Sequence, residues 1–193
     1  MARVREFDTE AALDAAMLVF WRLGYERATL VELTRAMGIN RPSLYAAFGN
    51  KEQLFRQALE RYASGPEACE HRALALPTAR EVAFGLLRGG ADRQTRPGKP
   101  HGCLAVLGTR TNGADSSPIG QMLIEARLAG EEEVRERFER AKVEGDLPAD
   151  ADPAELAEYI RTVMYGMTVK AASGATRDEL ERVIEVAMQA WPE

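Results

Sequence analysis

The stretch Thr29-Leu-Val-Glu32-Leu33-Thr-Arg-Ala-Met37-Gly38-Ile39-Asn40-Arg41-Pro42-Ser43-Leu44-Tyr45-Ala-Ala-Phe48-Gly49-Asn50-Lys51-Glu52-Gln53-Leu54-Phe55 decides the fold. Thr29 and Glu32 have the spacing of a capping box, in which each side chain satisfies a backbone N–H that the helix start leaves unpaired. Leu30, Leu33 and Met37 then share one helical face, and Gly38 follows as a stop. Asn40 is the N-cap of a second short helix whose inner face carries Leu44 and Phe48 and which stops at Gly49. Asn50 and Gln53 cap a third, with Leu54, Phe55, Ala58, Leu59 and Tyr62 on one face, fading near Ser64-Gly65-Pro66. Two short helices joined through a left-handed glycine make a helix-turn-helix.

The same signals extend in both directions. Asp8 caps a first helix with Ala12, Ala15, Ala16, Val19, Phe20 and Leu23 on one face, and Gly24 is expected to end it. Downstream, helices are expected at about 67–75, 78–93, 101–110, 118–144, 153–173 and 177–191. Thr78/Glu81 and Thr176/Glu179 are capping boxes, while Ser117-Pro118 and Asp152-Pro153 place proline at the first helical position, where its missing N–H costs nothing. Cys103-Leu-Ala-Val-Leu107 fits a buried helix or a short strand equally well, and no run alternates with period two. The fold class expected is all-α, with Thr95–Pro100 as the clearest loop and no internal repeat.

Composition narrows the function. At 193 residues, 46% hydrophobic and 28% charged, the chain is not disordered. A net charge of −5 excludes a polybasic nucleic-acid coat, yet residues 1–62 carry +1, which leaves −6 for the remainder. The N-terminal third is therefore the better face for a polyanion. The apolar run Ala15–Trp21 is far below the ~20 residues that cross a bilayer. The first residues lack an apolar signal core, so a cytoplasmic location is expected. Cys69 and Cys103 are too few for a disulfide scaffold.

In a helix-turn-helix the second helix enters the major groove with its N-terminal residues against base edges. Arg41 there can give two parallel hydrogen bonds to a guanine edge, Ser43 can donate to phosphate or base, and the Tyr45 hydroxyl can bond phosphate. Lys51 and Thr29 sit at helix starts, which favour anions. The motif Gly24-x4-Thr29-Leu-x-Glu-Leu, followed by Met37-Gly38-Ile39-Asn40 and Leu44-Tyr45-x-x-Phe48-x-x-Lys51-Glu52-x-Leu54-Phe55, resembles the DNA-binding domain of TetR/AcrR-family transcriptional repressors. The resemblance spans about residues 8–60. It implies an all-helical homodimer, a helix-turn-helix domain over residues 1–50, and a ligand-binding and dimerisation domain over 51–193 linked by the fourth helix. It also implies a pseudo-palindromic double-stranded operator and repression relieved by a small molecule. The family's DNA contacts fall here on Thr29, Asn40, Arg41, Pro42, Ser43, Tyr45 and Lys51. Pro42 stands where a small residue is frequent and removes one N–H. Ala46-Ala47 replaces larger polar residues, which favours contact with thymine methyls. Arg3 and Arg5 are placed for a flexible arm.

The body is less diagnostic. Leu156, Ile160, Val163, Met164 and Met167, then Leu180, Val183, Ile184, Ala187 and Trp191, mark two long helices that the resemblance assigns to a dimer interface. An effector pocket is expected between about 78 and 167, with Phe84, Leu87, Met122, Met164 and Tyr165 as candidate liners. Cys69-x-His71 and His101-x-Cys103 hold every Cys and His, but one intervening residue turns helical side chains ~200° apart, against a zinc site. No metal and no cofactor are expected. Gly102-Cys103-Leu104 resembles a stretch in a branch of the family that includes electrophile sensors, so Cys103 is a candidate sensor, with inert core cysteine as the alternative. An α-helical enzyme with a degenerate helix-turn-helix finds no paired carboxylates, Ser/His/Asp set or phosphate-cradling loop to support it.

Overall fold

The computed structural model describes residues 7–65, 70–108 and 117–192. Among these residues every regular element is helical: α1 (Thr9–Arg27), α2 (Leu30–Met37), α3 (Arg41–Phe48), α4 (Lys51–Ser64), α5 (Glu70–Leu74), α6 (Ala79–Gln94), α7 (Leu104–Leu107), α8 (Pro118–Val143), α9 (Pro153–Ala172) and α10 (Arg177–Gln189). The sequence places the starts correctly because the caps are made. Asp8 accepts from the Ala11 N–H at 3.0 Å and Asn40 from the Ser43 N–H at 2.9 Å. Capping boxes close at Thr29/Glu32, Asn50/Gln53, Thr78/Glu81 and Thr176/Glu179. Gly38 takes the left-handed conformation, φ 67° and ψ 22°, that turns the chain between α2 and α3. Arg3, Arg5 and Cys69 lie outside the described residues.

Two expectations change. Gly24 interrupts α1 rather than ending it: φ 72° and ψ 169° break the helix, which resumes for a last turn to Arg27. The Tyr25 N–H leaves the helix ladder there and donates to the Gly108 carbonyl at 2.9 Å. The helix expected at about 101–110 is, among the described residues, only the turn Leu104–Leu107. Cys103 is extended at its N-cap, and the preceding Gly102 N–H donates to the Gln94 carbonyl at 3.3 Å instead.

Side chains pack into two cores. The first holds α1–α4, with Phe20, Trp21, Leu33, Leu44, Leu54 and Phe55 buried, and Leu104 of α7 and Leu123 of α8 close its lower side. Phe20 and Phe55 meet edge to face at 5.0 Å, and Tyr25 meets Phe55 at 5.2 Å. The second holds α6, α9, α10 and the C-terminal half of α8 around Phe138, Ile160, Met167, Leu180 and Trp191. Arg137, buried on α8, donates to the carbonyls of Leu74, Leu76 and Pro77 at 2.8–3.2 Å and holds the α5–α6 corner.

A β-carbon at residue 24 would lie 3.1 Å from the Gly108 carbonyl oxygen, in a backbone region that only glycine occupies freely. Gly24→Ala is expected to cost about 1–3 kcal/mol. Urea unfolding followed by circular dichroism measures it, and an unchanged midpoint would show that the kink is not required.

Candidate nucleic-acid interface and cavity

Helix α3 exposes one face made entirely of candidate contacts. Leu44 and Phe48 are fully inside, so the 3.6-residue period turns Arg41, Pro42, Tyr45, Ala46 and Ala47 to the surface. Tyr45 is 49% exposed although it is a large aromatic in a helix only eight residues long. The helix start is bound up locally by the Asn40 cap, and Pro42 contributes no N–H. Thr29, at the start of α2, spends its hydroxyl on Glu32, donating to the carboxylate at 2.8 Å and accepting from the Glu32 N–H at 3.2 Å. The Thr29 backbone N–H bonded to Glu32 holds that carboxyl below its usual range.

Lys51, at the first position of α4, lies over the Tyr25 ring with its Nζ 4.2 Å from the centroid. Partial burial lowers its pKa. The ring of Tyr25 is itself fixed between Phe20 and Phe55. Lys51 is thus a positioned ammonium three residues beyond the end of α3, over a cation–π partner that limits its swing.

The second feature is a cavity of about 220 Å³ where α4, α5, α6, α7, α8 and α9 converge. Cys103, Met164 and Tyr165, three of the expected liners, border it. Leu87 is sealed in the second core and Phe84 packs partly buried against that core. Met122 is buried with the first core and edges a separate shallow groove with Arg56 and Leu59. The cavity's polar wall was not expected. Arg93 on α6 and Arg161 on α9 are 4% and 5% exposed, and Glu70 on α5 reaches both. Arg161 Nη2 donates to Glu70 at 2.9 Å and also to the Gly130 carbonyl. The nearest Arg93 nitrogen stands 3.7 Å from the other Glu70 oxygen. Burial pushes the Glu70 carboxyl up, but Arg161 and Arg93 outweigh it and the net shift is down. The Tyr62 ring lies under Arg93 at 4.8 Å, and burial beside Cys103 raises its hydroxyl well above the ordinary range. Gln94 donates to the Thr168 hydroxyl at 2.9 Å.

The sequence held a signal for this wall. Arg161 lies on the stripe Ala157, Ile160, Met164, Thr168 and Ala171 of α9, all buried, so a charge interrupts an apolar face. Such an interruption points to a buried partner.

Cavity and helix-turn-helix meet through residues 102–108. Trp21 Nε1 donates to the Gly102 carbonyl at 3.1 Å, and the Tyr25 N–H donates to that of Gly108. The segment that carries Cys103, Ala105 and Val106 into the cavity wall is therefore tied to α1 at both ends. Trp21 also meets Tyr62 edge to face at 5.0 Å.

Known proteins resemble this arrangement over nearly the whole chain. Residues 12–58 match the family model described as bacterial regulatory proteins, tetR family. The HTH-type transcriptional repressor ComR of Escherichia coli (strain K12) is 32% identical, over 99% of this chain and 92% of ComR. The HTH-type transcriptional repressor BdcR of the same strain is 29% identical, over 92% of this chain and 86% of BdcR. A cysteine mutant of the TetR family transcriptional regulator CifR, complexed with 26-bp double-strand operator DNA, superposes with a TM-score of 0.92 at 43% identity, covering 99% of this chain and all of that one. Among the described residues no helix is long and apolar enough to cross a membrane.

Proposed function

Because the chain belongs to the TetR family of bacterial regulatory proteins, we propose that it represses transcription by holding a double-stranded operator with α3 and is released when a small molecule fills the cavity. The observation that carries this reading is the outward face of α3, which presents Arg41, Pro42, Ser43 and Tyr45 from a helix anchored by Leu44 and Phe48. Lys51 flanks it as a phosphate contact. Asn40 and Thr29 act through the helix starts they cap, since their side chains are engaged there. The division at residue 50 belongs to the same proposal, with α4 as the link: it carries Lys51 at one end and lines the cavity with Tyr62 near the other.

The operator-binding form is a homodimer. On α9 and α10, Tyr159, Val163, Val183 and Val186 form an apolar groove, and Val186 is 65% exposed. A second copy covers such a face and sets two α3 helices about one DNA turn, ~34–36 Å, apart.

Release runs through the doubly tied segment. A ligand that displaces residues 103–106 carries the Gly102 and Gly108 carbonyls with them, and so moves α1 at Trp21 and Tyr25. Tyr25 is the platform of Lys51. A second reading of the signal is covalent: the Cys103 thiol faces the cavity next to Tyr62, so an adduct would displace the same segment.

Three measurements test the reading, on operator selected from random DNA by the protein itself. Lys51→Ala should weaken operator and random DNA alike and reduce the slope of log K against log salt by about 1.8 for a dimer, at ~0.9 per phosphate. Arg41→Ala should cost about 1–3 kcal/mol per half-site and flatten preference at one base pair. Equal loss on every sequence would make Arg41 a backbone clamp. Coupling is reciprocal, so operator should slow amide exchange in residues 103–108 of the wild type. In Trp21→Phe, which keeps an aromatic ring but loses the donor, that protection should disappear while exchange in α3 still slows. Protection unchanged by operator in the wild type rules the segment out as the path. For the covalent reading, N-ethylmaleimide should free wild-type protein from operator and leave Cys103→Ser bound; release of both excludes Cys103 as the sensor.

A further inference from the structure

Glu70 engages the buried Arg161 incompletely. Its contact with Arg161 uses a single nitrogen, Nη2, and that with Arg93 is longer than a hydrogen bond. Arg161 Nε is buried without a partner, although Nε and Nη2 together form the edge that grips both oxygens of a carboxylate. The guanidinium is tethered at Gly130, whose carbonyl also accepts from Nη2, and a β-carbon there would sit 2.5 Å from that nitrogen. Glu70 sits on a short element. It opens α5, a helix of five residues in which only Ala73 is buried.

We propose that the cavity takes a compact carboxylate-bearing molecule whose carboxylate replaces Glu70 on Arg161 and Arg93. This rests on the reading of the cavity as the effector site. Exchange of one carboxylate for another leaves the buried charge unchanged, so the large cost of stripping water from the arginines is not incurred again. The incoming group gains the bidentate grip on Nε and Nη2 that Glu70 misses. The size is set by 220 Å³, roughly seven waters' worth at ~30 Å³ each. The remaining wall is largely apolar, with Leu59, Ala63, Val106, Ala126 and Met164, and suits a short hydrocarbon body.

Calorimetry without DNA tests the proposal, so its outcome is separate from that of operator binding. The probes are butyrate, hexanoate, octanoate and benzoate, each beside its primary amide. At least one carboxylate should bind about tenfold or more tightly than its amide, a difference of ~1.4 kcal/mol. Glu70→Gln removes the resident competitor and should tighten that carboxylate about tenfold, whereas a merely structural Glu70 would weaken or not alter it. Arg161→Gln should abolish the preference; if that variant does not fold, the Glu70→Gln comparison still decides. Binding by no carboxylate, equal binding of acid and amide, or no gain in Glu70→Gln overturns the proposal.

Discussion

At Gly24 the first helix leaves helical geometry, and the carbonyl of Gly108 moves into the space a β-carbon would fill. The Tyr25 N–H, released from the helix ladder by that break, pairs with this carbonyl. One turn earlier Trp21 reaches the Gly102 carbonyl with its indole N–H. Backbone polar groups inside a protein must find partners. Here the carbonyls of residues 102 and 108 find their donors on α1, while the Gly102 N–H and the Ala105 carbonyl pair with Gln94 of α6 and Arg127 of α8, so the intervening segment is held by the helix-turn-helix and the body together.

That constraint explains how the two cores meet. Leu104, Ile119, Met122 and Leu123 belong to the first core although they follow α6 in the chain, because the 102–108 segment is drawn down onto α1. The cavity is the space left where these residues part from the second core. Its walls come from both sides: Leu59 and Tyr62 from α4, Arg93 from α6, Arg161 and Met164 from α9. A molecule held there touches the head and the body together, which is the geometry a two-state regulator needs if a ligand is to favour one arrangement over the other.

Electrostatics divides the molecule in the same way. At the head, charge stands near the surface on a supported side chain, as with Lys51 over Tyr25. In the body, Arg93 and Arg161 are buried and share Glu70, and Arg137 bonds three carbonyls of the α5–α6 corner. A buried arginine is costly without such partners. Arg137 spends Nε and Nη2 on that corner and is structural, whereas the unused Nε of Arg161 belongs to the edge that grips a carboxylate.

What the sequence determined by itself was local. Caps and stops act within a few residues, so Thr29, Asn40, Asn50 and Gly38 announced α2, α3 and α4, and the period of Leu44 and Phe48 showed which face of α3 is free. The family resemblance rested on the same residues. The ends of α1 and α7 were misread because Gly24 and Gly102 answer to partners more than eighty residues away, which no window of neighbouring residues contains. The cavity was half legible: Cys103, Met164 and Tyr165 line it, but Leu87 at the same helical spacing is solid core. An apolar side chain gives the same signal whether it faces another side chain or an empty space. Only the tertiary structure decides between them, because a cavity is a property of six helices at once, and a pair such as Glu70 and Arg161 exists only when they have come together.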